Sequence, residues 1–416
     1  MSKNKKSVDI AGTYKDVINS AGYKANFGTI MKFGALYNET YLYPVALLIF
    51  FIVNTSLLAY TITLATDDVK LMAESAHFTM LRTTATVVLL NSTYRKPQLT
   101  NLFLLLGEPN LHDYGGTLTK ELKAKIQEKI KICVDRKEFY GKNLARGFFV
   151  ALVLFATRSI LEYFGGFLNQ PYGEDGINRN LPVPTYMPYD SEGWPGYQFA
   201  LISEAYLVVA ACLVAIGNDC SFICFSEEVL RELQIIIITL GSIKERSEYV
   251  RRKSNYKISV KDSVHLCLKH SVKHHQRVIQ VFEGFRTYFF FSLFIMLGCG
   301  AFLVCLSGLM FIADVVDVKT KILFFIFLAS ELFHIFVFCY YGEHISFTSR
   351  KVGESLYDPS TVDISQYVKP FFIMINARCQ TPLQLSGGGF MNADFDTYGN
   401  VLRSSYSYLN LLQAAN

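Results

Sequence analysis

The chain has 416 residues, 51% hydrophobic and 14% aromatic, with mean hydropathy +0.25. Charged residues make up 18%, against roughly 25% in soluble domains, and this excludes an ordinary soluble multidomain chain. The net charge of +5 is mild, so its distribution matters more than its total, and no nucleic-acid partner is expected.

Residues 1–40 are polar and carry Lys3, Lys5, Lys6, Lys15, Lys24 and Lys32, so they read as a cytosolic N-terminal segment. The first apolar run, Tyr41 to Ala65, is too long for a signal-peptide core. No clear small-residue cleavage site follows it, so it is expected to stay in the membrane as the first span. The second span, 70–94, is the least apolar. It holds Glu74, His77 and Arg82, which are costly in lipid and are expected to face protein or a water-filled cavity. Spans at 145–168 and 197–220 complete a block of four within 41–220.

Residues 221–286 include two amphipathic stretches, "EEVLRELQIIIITLGSIKERSEYVRRK" and "SVHLCLKHSVKHHQRVIQVFEGF". They read as cytosolic extensions of spans four and five that form an anchor. Spans five and six, 287–312 and 322–347, make up 287–347. Residues 348–390 hold a short anchor helix at about 363–377, which Pro370 kinks or begins, and a flexible Gly-rich link at Gly387 to Gly389. A seventh span at about 391–413 lies in the last segment, 391–416.

Lys and Arg concentrate in 95–146 and 231–286. The 66–69 turn carries Asp67 and Asp68, and 169–196 carries Glu174, Asp175, Asp190 and Glu192 against Arg179. By the positive-inside rule the N-terminus is cytosolic, and seven spans then leave the C-terminus extracellular. The nine cysteines all fall in spans or cytosolic segments, so no external disulfide framework is expected. The sequons at Asn38, Asn54 and Asn91 lie at or inside the membrane or on the cytosolic side and are expected to be unused. The expected fold is an all-α integral membrane protein with seven transmembrane helices and a cytosolic helical anchor bundle.

Catalytic signatures are missing: there is no Walker-type phosphate loop, no Gly-x-Ser-x-Gly and no His-Glu-x-x-His. Gly298-Cys-Gly300 lies in a span and reads as a close helix contact. His270 and His274 share a helix face, but no Asp, Glu or Cys at usual spacing completes a tetrahedral set, so they read as a solvated basic face. No enzyme activity, cofactor or metal is expected.

Aromatics crowd several spans, and most serve packing or interface anchoring. One subset fits a mostly apolar ligand pocket in the outer half of the membrane. It comprises His77, Phe78 and Leu81 on span two, Phe155, Ser159 and Tyr163 on span three, Phe199, Ile202 and Tyr206 on span four, and Phe327 on span six. Such a pocket suits a small, weakly polar ligand.

Seven spans suggest a G-protein-coupled receptor. Against it stand the inside N-terminus, the lack of an external cysteine pair, and the absence of Asn-Pro-x-x-Tyr and Asp-Arg-Tyr. A transporter predicts paired broken helices or inverted repeats, and neither is visible. The last span favours a channel. Arg403, Tyr406, Asn410 and Gln413 form one polar stripe at spacing 3, 4, 3, while Leu402, Leu409 and Leu412 lie on other faces. A pore-lining helix needs a wet side and a dry side. The competing reading buries the helix centrally in a single-chain bundle with its polar groups paired internally.

The stretch "YVKPFFIMINARCQTPLQLSGGGFMNADFDTYGNVLRSSYSYLNLLQ" closely resembles the C-terminal signature of insect odorant receptors. The matching residues are Pro382, Leu383, Leu385, Gly387 and Gly388, then Ser405, Tyr406, Ser407 and Tyr408. Length, inverted topology and the cytosolic segment before span five extend the resemblance over the chain. The resemblance implies an odorant-gated, nonselective cation channel with four subunits around a pore built from the last helix. Submembrane helices would make most inter-subunit contacts. It further implies a small volatile odorant as ligand, bound among spans two, three, four and six, with membrane lipid and permeant cations as other partners. An odorant-specific subunit pairs with a shared olfactory co-receptor in a heterotetramer, in the plasma membrane of olfactory sensory neurons. The co-receptor's long cytosolic insertion is not evident here, which points to the tuned subunit. The gate falls on Asn410 and Gln413 with Tyr406 further in, and Asn410 departs from the apolar gate of several relatives. A gustatory-type homomeric channel of the same superfamily is the alternative, with a metabotropic receptor behind it.

Overall fold

The computed structural model describes residues 17, 31–32, 34–66, 68–107, 113–164, 175–312, 318–357 and 364–415. Ten α-helices dominate the described residues. They are α1 (Leu42–Leu64), α2 (Val69–Tyr94), α3 (Lys96–Gly107), α4 (Lys120–Phe164), α5 (Gly196–Gly241), α6 (Ile243–Lys253), α7 (Val260–Ile312), α8 (Val318–Glu354), α9 (Ser365–Cys379) and α10 (Phe395–Ala415). Two small antiparallel hairpins interrupt them, β1 (Ile177–Asn178) with β2 (Thr185–Tyr186), and β3 (Ser386–Gly387) with β4 (Met391–Asn392).

Among the described residues, four helices contain stretches long and apolar enough to cross a membrane by length and composition: α1, α5, α7 and the Lys321–Glu354 part of α8. Helices α2, α4 and α10 occupy the other three expected positions. Asp68 caps α2, its carboxylate accepting from Leu71 N at 3.0 Å. Helices α5 and α7 run for 46 and 53 residues. At about 1.5 Å per residue each is more than twice the ~30 Å hydrocarbon thickness, so both must project beyond a bilayer.

Helix α7 is the spine of the molecule and packs on α2, α3, α5, α6, α8, α9, α10 and β3. Phe222 of α5 sits at the centre of the core, ringed by Phe285 and Phe289 of α7 and by Phe338 of α8, whose ring centroid is 4.4 Å away. In the projecting bundle, Arg246 is fully buried and donates to Thr239 O at 2.8 Å and to Ser271 Oγ and Thr117 Oγ1, both at 2.9 Å. Its guanidinium lies 4.8 Å from the centre of the Tyr114 ring. Tyr114 OH is 2.7 Å from His274 Nδ1, and His274 Nε2 is 2.8 Å from Glu232. His274 is therefore a buried link in this network rather than part of a solvated basic face. Its basic and polar neighbours in sequence, Lys273, His275, Gln276 and Arg277, hide that role, because the partners come from other elements.

The C-terminal region departs from expectation at the Gly-rich link. Gly388 and Gly389 turn the β3–β4 hairpin in the left-handed region, at φ 63° and 77°. Gly388 N donates to Phe290 O at 3.1 Å, and Ala393 N to Leu385 O at 2.9 Å, so the segment is docked on α7 rather than flexible. The last helix starts at Phe395, capped by Asp394, whose carboxylate accepts from Thr397 N at 2.8 Å. Helix α9 starts two residues later than expected and carries Pro370 in its second turn.

Candidate ligand site and polar last helix

The buried face of α2 supplies the first wall of the site. His77 is fully buried and stacks on Phe327 of α8, with centroids 4.5 Å apart and planes 17° apart. Phe78 and Phe324 each meet the imidazole edge-on at 5.7 Å, and Phe78 meets Phe327 edge-on at 5.9 Å. His77 Nδ1 is 3.4 Å from Ser307 Oγ of α7, while its Nε2 has no hydrogen-bond partner. Leu81, one turn along α2, is partly buried. His77, Phe78 and Phe327 are thus brought together. Phe324 and Ser307 were missed. Phe324 was legible as the residue one helical turn before Phe327, whereas Ser307 sits on a span left out of the expected pocket.

The second wall comes from α5. Phe199 and Ile202 are 67% and 69% exposed and Tyr206 is 46% exposed, on the outer face of the helix. Phe199 meets Tyr189 at 6.0 Å and Tyr206 meets Phe50 at 5.6 Å, so these three side chains are not part of the aromatic cluster around His77. The inward face is Ala200, Glu204 and Leu207. An aromatic side chain packs as well against lipid as against protein, so aromatic content does not identify the inner face. Glu204 was the missed residue. It is completely buried and forms an ion pair with Arg82 of α2 at 2.5 Å. Arg82 was expected to face protein or a cavity, and it does.

The side chains of Phe155, Ser159 and Tyr163 on α4, and of Gln413 on α10, lie outside the described residues. On α10, Val401 and Ser405 are buried on the side where the helix packs against α7 and α8. Ser405 Oγ is 3.4 Å from Cys305 Sγ of α7. Arg403, Tyr406 and Asn410 are exposed, Tyr406 by 67%. The described part of the polar stripe, Arg403, Tyr406 and Asn410, therefore faces away from this chain's own bundle, against the reading in which it is paired internally.

Apolar spanning helices, a buried aromatic cluster between them and a terminal helix with an outward polar stripe define an all-helical, multi-pass membrane protein. Residues 116–406 match the family model described as 7tm Odorant receptor, and the chain belongs to that family. Odorant receptor 92a of Drosophila melanogaster is 22% identical over 363 residues, covering 82% of this chain and 83% of that protein. Odorant receptor Or2 of Anopheles gambiae is 24% identical over 240 residues, covering 56% of this chain and 61% of that protein. The fold matches the insect olfactory receptor OR5 from Machilis hrabei, solved in complex with eugenol, at a TM-score of 0.77. That match has 14% identity and covers 98% of this chain and all of that one. The family is one of odorant receptors.

Proposed function

We propose that the chain is an odorant-specific subunit of a ligand-gated, nonselective cation channel, assembled with a shared olfactory co-receptor as a heterotetramer in the plasma membrane of olfactory sensory neurons. In this reading seven helices span the membrane, with the N-terminus cytosolic and the C-terminus extracellular. The projecting ends of α5 and α7, with α6 and α9, form the cytosolic anchor.

The observation that carries this reading is the outward polar stripe of α10. A helix that turns Arg403, Tyr406 and Asn410 away from its own bundle needs a wet lumen, and a single helix cannot enclose one. Several copies around an axis supply it, with Tyr406, Asn410 and Gln413 on the ion path.

The odorant contacts His77, Phe78, Leu81 and Phe327, with Phe155, Ser159 and Tyr163 closing the site from α4. Phe199, Ile202 and Tyr206 form its lipid-side rim. Helix α7 touches both the aromatic cluster and α10, with Ser307 against His77 and Cys305 against Ser405. Ligand binding shifts the gate only if the odorant binds the open arrangement more tightly than the closed one. The test is to express this chain with and without the co-receptor and record from excised patches lacking nucleotides. Currents that need both chains and no GTP are expected. Currents from this chain alone favour a gustatory-type homomer, and currents that vanish without GTP overturn the channel reading.

A further inference from the structure

Helix α2 carries a second polar feature beside the aromatic cluster. Thr83, Thr84, Thr86, Ser92 and Thr93 each donate to the backbone carbonyl four residues earlier, at 2.7 to 3.0 Å. That is the default for a hydroxyl in an apolar helix. Ser75 and Thr79 break the pattern: both hydroxyl oxygens are buried and have no hydrogen-bond partner. Arg82 Nη1 is likewise buried without a partner, as is the acceptor Glu204 Oε1, while Nη2 donates to Glu204 Oε2 at 2.5 Å. Positions 75, 79 and 82 follow helical spacing 4 and 3, so these unmade donors lie on one stripe. Phe78, one residue after His77 and four before Arg82, borders both the aromatic wall and this stripe.

Such atoms are costly to leave unpaired away from water. Their chemistry restricts what can pair them. The Arg82–Glu204 pair is already charge-balanced. A carboxylate ligand would add an uncompensated negative charge beside Glu204, and an ammonium would meet Arg82. A hydrocarbon would leave every donor unmade. A neutral oxygen acceptor takes the Arg82 Nη1 donor and a hydroxyl donor without disturbing the charge balance. We propose that the Ser75–Thr79–Arg82 stripe, held by Glu204, makes this site selective for a neutral volatile with a carbonyl oxygen, such as an ester, ketone, aldehyde or lactone. Its hydrocarbon part lies against Phe78 and Phe327. This rests on the ligand lying against α2, as proposed above.

The test uses the full chain with the co-receptor, with assembly shown by co-purification. Dose–response curves are recorded for alkanes, acetate esters, ketones, carboxylates and primary amines matched from pentyl to dodecyl. Esters and ketones are expected to be more potent than alkanes of the same length by about 10–100-fold, as a hydrogen bond to a charged donor implies. Carboxylates and amines should be weaker still. Alkanes, carboxylates or amines matching the carbonyl compounds would overturn the ligand class while leaving the channel reading intact. Silence to every class from assembled channels overturns both.

Arg82→Met alone would strand Glu204 in the bundle, so Arg82→Met is paired with Glu204→Leu. A second variant joins Ser75→Ala with Thr79→Val, which keeps the ion pair. Both are expected to lower the ester-to-alkane potency ratio about 10-fold, and an unchanged ratio in both overturns the proposal.

Discussion

His275 is buried in the projecting bundle, one residue after the His274 link. Burial, with the nearby charges of Arg378 and His274, pushes its pKa down from 6.5 to about 4. Between these values the unfolded chain takes up a proton that the folded chain refuses. Stability is therefore full above the upper value and falls as pH drops toward the lower one, by up to about 3 kcal/mol. Thermal unfolding of the detergent-solubilised protein should show a lower midpoint at about pH 5 than at about pH 7.5, and His275→Gln should flatten that slope. An unchanged slope in the variant would show that the imidazole is not the group responsible. His275 illustrates a limit of reading residues along the chain. In sequence it is one of several His and Lys residues in a basic run, and only the packing of α5 and α9 around α7 separates a buried neutral imidazole from its solvated neighbours.

Helices were legible as elements because apolar spacing is local, and the long α5 and α7 follow directly from two unbroken patterns. The β3–β4 hairpin was not legible. Its strands are two residues each, too short to show alternation, and three consecutive glycines look like slack chain. Their placement explains them differently. A Cβ on Gly387 would lie 2.6 Å from Phe294 N and 2.7 Å from Phe294 Cα, backbone atoms of α7 that cannot swing away. A Cβ on Gly342 of α8 would lie 1.9 Å from Ala393 O. The hairpin is thus wedged between the two helices and sets where α10 begins. Gly387→Ala is expected to cost about 1–3 kcal/mol by overpacking and to lower the thermal midpoint. Gly389→Ala should cost less, since its nearest neighbour, Phe290 Cζ, is 4.0 Å away and only the left-handed backbone is strained. The reverse order would show that the hairpin does not dock as described.

For the whole molecule, the exposed stripe on α10 matters only in an assembly, where it is expected to line the ion path. Arg403 then places a positive charge in a conduit for cations. Removing it with Arg403→Gln should raise single-channel cation conductance by up to about 5-fold, the effect of one unit charge at close range in water. An unchanged conductance and reversal potential would place Arg403 off the path. Asn410 belongs to the same test: Asn410→Leu should reduce the current seen without ligand. Thermal stability of the solubilised subunit should be little altered by either change, because both side chains are exposed.

Hydropathy and charge along the chain were sufficient for the class of fold, the positions of the main spans and the anomalous polarity of the last helix. Each depends on composition over one or two dozen neighbouring residues. The partner of Arg82, the inner face of α5 and the docking of the glycines were not readable in that way. Glu204 lies 122 residues from Arg82. Phe199 and Ile202 are as apolar as any core residue, yet they face outward. In a membrane protein the surroundings and the interior are both apolar, so a hydrophobic pattern marks a span without marking its inner side. That side is set by helix packing, which brings Glu204 rather than the neighbouring aromatics against α2.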